Sequence, residues 1–210
     1  MNVSVDIAIT IISDNRLKVL LIKREEEPFK ECLALPGVLV GEKEGLEEAV
    51  RRALSEEAQI GEKIPLEQLH SYGDDIYRDP RNRVLSVAYI ALLNYMPDFG
   101  MGERVSDIKF YDYDAILKVD HKFAFDHRQI LIDVREKLRK DARSTDVAYD
   151  LVGEKFTLSE LQRVYEILTG EEMYKANFRR KIIDQVEDTG EMRSGDAFRP
   201  SRLYRKRVTE

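Results

Sequence analysis

The chain has 210 residues, which is more than one average domain needs and about enough for two small ones. Its composition, 43% apolar and 35% charged, is that of a soluble globular protein, and its apolar runs are too short to span a membrane. The net charge of −6 argues against a protein that coats nucleic acid, and the single cysteine, Cys32, fits a reducing, cytoplasmic compartment.

The first part of the chain is predicted to be rich in strands. The segments "VSVDIAITII" and "LKVLLIKR" flank the turn sequence "SDNR", an arrangement typical of a hairpin. A helix should begin near Gly45, because apolar residues recur from Leu46 to Leu54 with helical spacing. Three more strand-like segments and a helix follow: "EQLHSYG", "VLSVAYIALLNY", "SDIKFYDYD" and "FDHRQILIDVREKLRKDA". We therefore expect an α+β domain over residues 1–145, with a mixed sheet packed between helices in an α/β/α sandwich.

The chain changes character after the polar stretch "RKDARSTD", and we predict a separate domain over residues 146–210. The segment "TLSELQRVYEILTG" opens with a capping box, Thr157 to Glu160, and closes at Gly170, as a complete short helix does. A second helix, "KANFRRKIIDQV", and a hairpin, "VEDTGEMRSGDAFRPSRLYRKR", follow it. This is the order of elements in a winged helix-turn-helix.

Basic residues are concentrated in this second domain. Between Lys175 and Arg207 there are ten Lys and Arg against five Asp and Glu, so the segment carries +5 in a chain of −6. They fall on the second helix and the hairpin, which are the parts of a winged helix that contact double-stranded DNA. The predicted DNA contacts are Lys175, Asn177, Arg179, Arg180, Lys181, Arg193, Arg199, Arg202 and Arg205. The alternative for this region is a small helical cap or a dimerisation element.

Two carboxylates on the first helix are candidate metal ligands. Arg52, Glu56 and Glu57 lie within about one and a half helical turns, where their side chains can meet around one point. Mg²⁺ binds through one or two carboxylates together with substrate phosphates, so Glu56 and Glu57 would suit a diphosphate carried on metal. The alternative is a solvated acidic helix face.

A second candidate binding segment is "YRDPRNRVLSVAY", in which Arg78, Arg81 and Arg83 crowd onto a turn that enters a strand. Guanidinium groups match phosphate oxygens in pairs, and Asp79 would orient one arginine or accept from a ribose hydroxyl. These four residues are candidate ligand-binding residues. The alternative is a solvated "DPRN" turn with charged flanks.

The stretch around the first helix resembles the Nudix box, a loop-helix-loop motif that binds metal and diphosphate. Glu44, Arg52, Glu56 and Glu57 are in register with this motif. Val38, Ala53 and Gln59 stand where the motif has its first glycine, the glutamate after the arginine and its closing glycine. Because that glutamate binds metal in Nudix hydrolases, the resemblance implies a domain that still binds its ligand but no longer hydrolyses it. No catalytic residue and no cofactor are then expected, and Mg²⁺ would serve only a residual hydrolysis.

Over nearly its whole length the chain is similar to the NrtR family of Nudix-related transcriptional regulators. The similarity rests on "KVLLIKR", "ALPG", "RDPR", "SVAY", "AFDH", "FTLSELQRVYE", "NFRRK" and "RPSRLYR". It implies a homodimeric repressor of NAD or related nucleotide and sugar metabolism, which senses ADP-ribose or a similar nucleotide and binds operator DNA. It also adds Asp126 and His127 to the candidate ligand-binding residues. The alternatives are an active ADP-ribose pyrophosphatase and a metabolite-binding module with no DNA target.

Overall fold

The computed structural model describes residues 1–144, 146–195 and 198–207 of the chain, without the side chains of 194–199. The chain divides into two compact units, Met1–Glu136 and Lys137–Glu210. This division falls inside a helix, His127–Ser144, which continues through most of the polar stretch that we expected to separate the domains at residue 145. Lys, Arg and Ala are good helix formers, so the polar composition of that stretch does not end the helix.

The first unit is built on a mixed seven-stranded sheet in the order β3-β2-β1-β6-β5, with β4 paired to β1 and β7 paired to β2. The strands are β1 (Asn2–Ser13), β2 (Arg16–Arg24), β3 (Leu33–Ala34), β4 (Gly37–Leu39), β5 (Glu67–Tyr72), β6 (Val84–Leu93) and β7 (Val105–Asp112). Strand β1 lies at the centre, antiparallel to β2 and parallel to β6. It is buried on both faces, which explains its nearly continuous apolar sequence.

The predicted hairpin between β1 and β2 is confirmed. Asp14 and Asn15 form its turn with φ angles of 53° and 58°. Positive φ at both central residues matches the twist of a two-residue hairpin, and Asp and Asn adopt it more readily than most residues with a side chain.

Helix α1 (Leu46–Ala58) packs its apolar face against the sheet. Ala49, Val50 and Ala53 are fully buried in one cluster with residues of β1 and β6. The helix ends at Gln59, whose φ of 52° is left-handed, and the Gln59 amide donates to the backbone oxygen of Met101 at 2.6 Å. This hydrogen bond ties the end of α1 to the loop that leads into β7.

Helices α2 (Tyr113–Lys118) and α3 (His127–Ser144) follow the sheet. Helix α2 differs from our expectation, because the strand predicted over "SDIKFYDYD" ends at Asp112. The Asp112 carboxylate accepts a hydrogen bond from the backbone nitrogen of Ala115 at 2.9 Å and thereby caps α2.

The second unit contains α4 (Val147–Asp150), α5 (Leu158–Thr169), α6 (Lys175–Ile182), a 3₁₀ turn (Ile183–Gln185), β8 (Val186–Gly195) and β9 (Phe198–Lys206). The predicted capping box of α5 is present, since Thr157 and Glu160 each accept a backbone hydrogen bond from the other. Gly170, with φ of 74°, ends the helix as expected. The turn after it leads into α6, and the β8–β9 hairpin forms a wing. The predicted winged helix-turn-helix is confirmed, and α4 is a short addition to it.

Among the residues that the structure describes, none of the helices combines the length and apolar composition that a bilayer span requires.

Candidate functional site

A cavity of about 300 Å³ opens in the first unit. Polar side chains from β1, β2, α1, the loop before β6, the loop before β7 and the start of α3 line it. They include Asp6, Arg24, Arg52, Glu56, Glu57, Arg78, Asp79, Arg81, Arg104 and His127, with Phe125 as an aromatic wall. The cavity thus joins two segments that the sequence suggested separately, the charged helix and the arginine turn.

On α1, Arg52 holds the charged residues of the Nudix-like segment together. Its guanidinium donates to both carboxylate oxygens of Glu44 at 2.8 Å, to the backbone oxygen of Leu39 at 2.8 Å and to Glu56 at 3.2 Å. The hydrogen bonds from Arg52 and from the backbone of Gly41 lower the pKa of Glu44 to about 2. Arg52 therefore fixes the loop before the helix against the helix itself.

Glu57 is nearly buried, and an arginine outside the Nudix-like segment contacts it. Nη2 of Arg104 lies 2.6 Å from Oε1 of Glu57 and 3.7 Å from Oε2 of Glu56. Burial raises the pKa of the Glu57 carboxyl, and the nearby Arg104 and Arg24 offset part of that effect. A guanidinium thus contacts the pair of carboxylates predicted to bind metal.

These residues do not fit a divalent cation. Ala53 has no exposed surface and its methyl group packs in the apolar cluster, so position 53 supplies no oxygen ligand. Among the described residues, no group of three His, Cys, Asp or Glu side chains converges as a metal site requires. The donor set at the end of α1 is two carboxylates that already have arginine partners.

Arg78 lies at the centre of a buried charge network. Its Nε and Nη2 donate to the two carboxylate oxygens of Asp126 at 2.9 and 2.6 Å, and Nη2 is 3.6 Å from Oδ2 of Asp6. Nδ1 of His127 accepts from the backbone nitrogen of Leu35 at 2.9 Å, so Nε2 carries the proton and points to Asp6 Oδ1, 3.3 Å away. The sequence-predicted Arg78 and His127 therefore meet at Asp6, and Arg78 links the predicted Asp126 to them.

Asp6 was not predicted as a site residue, because it interrupts an apolar strand without a motif around it. Burial alone would raise its pKa, but His127, Ser86 and Arg78 outweigh burial and hold the pKa of Asp6 below the ordinary aspartate value. Gly37 is tightly packed against it, since a Cβ at position 37 would lie 2.2 Å from Asp6 Oδ1. In the sequence, Asp6 is marked only by its place inside an apolar run, and Gly37 lies 31 positions away in the chain.

The other two predicted arginines of the turn, Arg81 and Arg83, differ in whether they reach the cavity. Arg81 lies at the cavity and donates through Nε and Nη2 to the Asp79 carboxylate at 3.0 and 2.7 Å, so Asp79 orients Arg81. Arg83 is exposed and does not line the cavity. The next residue, Val84, is buried, and successive side chains point to opposite sides where the turn becomes β6.

Arg24, like Arg104, is a cavity arginine that the sequence did not suggest. Its contacts are backbone oxygens, those of Pro28 at 2.9 Å and Glu26 at 3.5 Å, and among the described residues no carboxylate forms an ion pair with it. The guanidinium carbon lies 5.2 Å from the centre of the Phe125 ring. Burial and repulsion from Arg81 lower the pKa of Arg24. Such a guanidinium gains from an anion placed in the cavity.

A second candidate surface is the exposed side of α6. Lys175, Asn177, Arg179, Arg180 and Lys181 are all exposed, while Phe178 and Ile182 anchor the helix in the core. In the part of the chain that the structure describes, no carboxylate pairs with Lys175, Arg179 or Arg180. The predicted basic face is therefore present and available to an external anion.

The predicted arginines of the wing are exposed but already paired within the second unit. Arg193 contacts Glu160, Arg202 lies 2.6 Å from Asp188, and Arg205 contacts Glu187. The side chain of Arg199 lies outside the described residues. The wing thus presents arginines whose charge is partly compensated, in contrast to α6.

Two family models match the chain, one in each of its two compact units. The NUDIX domain model matches residues 4–134, and the NrtR DNA-binding winged helix domain model matches residues 148–206. The ADPR responsive transcriptional repressor NtrR of Acinetobacter baylyi is 34% identical in an alignment of 206 positions, which covers 96% of this chain and 80% of that protein.

Two solved structures of Shewanella oneidensis NrtR are also similar. NrtR complexed with a 27mer DNA has a TM-score of 0.76 and 32% identity, covering 98% of this chain and 93% of that one. Its NUDIX domain complexed with ADP ribose has a TM-score of 0.59 and 34% identity, covering 65% of this chain and 87% of that one.

Proposed function

The chain belongs to the NrtR family of Nudix-related transcriptional regulators, and on this basis we propose that it is an ADP-ribose-responsive repressor. The first unit binds ADP-ribose or a similar nucleotide, and the second binds operator DNA of genes for NAD or related nucleotide and sugar metabolism. The protein acts in the cytoplasm as a homodimer that contacts two half-sites. It requires no cofactor for either binding event, and Mg²⁺ would matter only to a residual hydrolysis.

One observation carries the effector half of this proposal: the cavity contains Arg24, which pairs with no carboxylate of the described residues, beside two further guanidiniums. Burial and the charges of Arg81 and Arg104 lower the pKa of Arg24, and the charge of Glu57 offsets part of that effect. Arg81 and Arg104 already have carboxylate partners, whereas Arg24 has none among the described residues, and a diphosphate would offer all three charge-assisted hydrogen bonds. Asp79 and Asp126 hold their arginines in place, so the cavity is organised before the ligand arrives.

We expect Arg24→Ala and Arg81→Ala each to weaken ADP-ribose binding by about ten- to a hundredfold, because a hydrogen bond to a charged group contributes roughly 1.5–3 kcal/mol. Calorimetry on the wild type and the variants measures this. Arg16→Ala is the matched control, because Arg16 is an exposed arginine paired with Asp112 at 2.7 Å and does not line the cavity. Undetectable ADP-ribose binding by the wild type would end the effector proposal.

The regulator as a whole is tested by the coupling of the two ligands. ADP-ribose should lower operator affinity by about 5- to 150-fold, the usual range of allosteric coupling, and operator DNA must lower ADP-ribose affinity by the same factor. Fluorescence anisotropy with DNA from upstream of the protein's own gene and its neighbours measures the first effect, and calorimetry the second. Equal affinity for these fragments and for random DNA at moderate salt would contradict a repressor.

The alternative function is an active ADP-ribose pyrophosphatase, favoured by the retained Glu44, Arg52, Glu56 and Glu57. The same assay mixtures distinguish it, since hydrolysis releases AMP and ribose 5-phosphate. Robust Mg²⁺-dependent turnover that Glu57→Gln abolishes would support the alternative.

A further inference from the structure

The positively charged Arg104, from the loop before β7, contacts the two carboxylates at the end of α1. Its Nη2 lies 2.6 Å from Glu57 and 3.7 Å from Glu56. The Glu57 side chain is only 6% exposed, whereas that of Arg104 is 48% exposed and lines the cavity. Arg104 contacts these two carboxylates through Nη2, and a guanidinium has five N–H donors, so the two contacts leave most of its donors for a ligand in the cavity that it lines.

The backbone around Arg104 is held closely against the helix. The backbone nitrogen of Gly100 donates to the backbone oxygen of Ala58 at 2.8 Å. The side-chain amide of Gln59 donates to the backbone oxygen of Met101. A Cβ at position 102 would lie 1.7 Å from the backbone oxygen of Glu56, so only glycine allows this approach. The loop therefore fixes where the chain can present Arg104.

We propose that Arg104 takes the place of a divalent cation at the end of α1, so that the diphosphate of the effector binds without metal and contacts Arg104 and Arg24 directly. This inference rests on the proposed function in its choice of ligand. A metal ion would need several oxygen ligands in octahedral arrangement, and Arg104 already contacts the carboxylates that would supply them. Because position 53 is a buried alanine, it supplies no third carboxylate that would help a metal ion displace Arg104 from them.

A guanidinium and a metal ion also differ in what they offer a diphosphate. Mg²⁺ polarises a phosphoryl oxygen and lowers the pKa of bound water, whereas arginine donates hydrogen bonds with a single delocalised charge. A site with Arg104 in this position is suited to holding a diphosphate without cleaving it. That is what a sensor requires, because the signal persists only while the ligand is intact.

The first test uses Mn²⁺ alone, with free Mn²⁺ followed by electron paramagnetic resonance. Wild-type protein and Arg16→Ala should bind Mn²⁺ only weakly at this site. Arg104→Ala, which leaves Glu56 and Glu57 without that partner, should bind it at least about tenfold more tightly. Equal Mn²⁺ affinity of the wild type and Arg104→Ala, at a level that Glu57→Gln reduces, would overturn the proposal.

The second test measures ADP-ribose affinity with EDTA and with Mg²⁺. Wild-type affinity should be the same in both, and Arg104→Ala should lose about tenfold or more in EDTA. If neither the wild type nor Arg104→Ala binds Mn²⁺, the loss of ADP-ribose affinity in EDTA decides whether Arg104 binds the diphosphate. An Arg104→Ala variant with wild-type affinity in EDTA refutes the inference. If ADP-ribose binds no variant in either buffer, the proposed effector is wrong, and the inference then depends on the Mn²⁺ contrast alone.

Discussion

Replacing Arg179 and Arg180 together with alanine should reduce operator affinity by on the order of a hundredfold or more, because each well-placed arginine contributes about 1–3 kcal/mol at a base or phosphate. Both side chains are exposed on α6, and in the described part of the chain neither forms an ion pair. No internal partner has to be given up when they bind DNA. Fluorescence anisotropy at several salt concentrations should show a shallower salt dependence for the variant, since fewer counterions are released.

The control for this experiment is Arg16→Ala/Arg51→Ala, which changes the net charge by the same amount on the first unit. Arg16 and Arg51 are ion-paired at the surface, with Asp112 and Glu47, and their loss should leave operator binding close to that of the wild type. Arg205→Ala should have a smaller effect than the α6 variant and should weaken all DNA sequences alike. A double α6 variant with wild-type operator affinity would contradict the assignment of α6 as the DNA-contacting helix.

Replacing Arg78 with alanine should destabilise the first unit by about 3–5 kcal/mol, because removal of one partner leaves buried charges uncompensated. The Arg78 side chain is 2% exposed and faces both Asp126 and Asp6. Urea denaturation followed by circular dichroism measures the change in the free energy of unfolding. Arg16→Ala again provides a matched comparison, since its ion pair has a similar length but the Arg16 side chain is 67% exposed, and its loss should cost about 0–1 kcal/mol.

The difference between wild type and Arg78→Ala should also depend on pH. The pKa of Asp6 is lowered in the folded protein, so the stability that its charge contributes is present above the unfolded value near 3.8 and is lost as the pH falls through the folded value. In the variant, Asp6 loses the part of this lowering that Arg78 provides, so it takes up a proton at a higher pH than in the wild type. The two proteins should therefore differ most near neutral pH and converge in acid. A difference that is constant from pH 7 to pH 3 would show that Asp6 is not coupled to Arg78.

Local sequence signals predicted the local features of the fold well. The turn at Asp14 and Asn15, the capping box at Thr157 and the helix end at Gly170 are each encoded in a few adjacent residues, and all are present. Helix α2 escaped prediction because a single hydrogen-bonded cap at Asp112 outweighs the strand-like pattern around it.

The site was harder to predict, because its members come from distant parts of the chain. Arg78 and Arg81 carry a local signal and reach the cavity, whereas Asp6, Arg24 and Arg104 stand alone in segments that look ordinary. Only the pairing of strands and the docking of the loop after residue 100 bring them together. A pattern in one segment cannot reveal a contact that depends on another.

The parallel pairing of β1 with β6 has a consequence for how the protein is made. The ladder runs from Asn2 opposite Val84 to Ile11 opposite Leu93, so its partners are roughly 80 positions apart. Bringing two segments this far apart together costs conformational entropy before their hydrogen bonds and packing stabilise the sheet. Folding therefore becomes slower as the sequence separation of paired strands increases. During translation, the edge of β1 that pairs with β6 stays without its partner until Leu93 has left the ribosome. The charges around Asp6 need Arg78 and His127 as well, so a newly made chain cannot complete the site that responds to a metabolite before His127 has been synthesised.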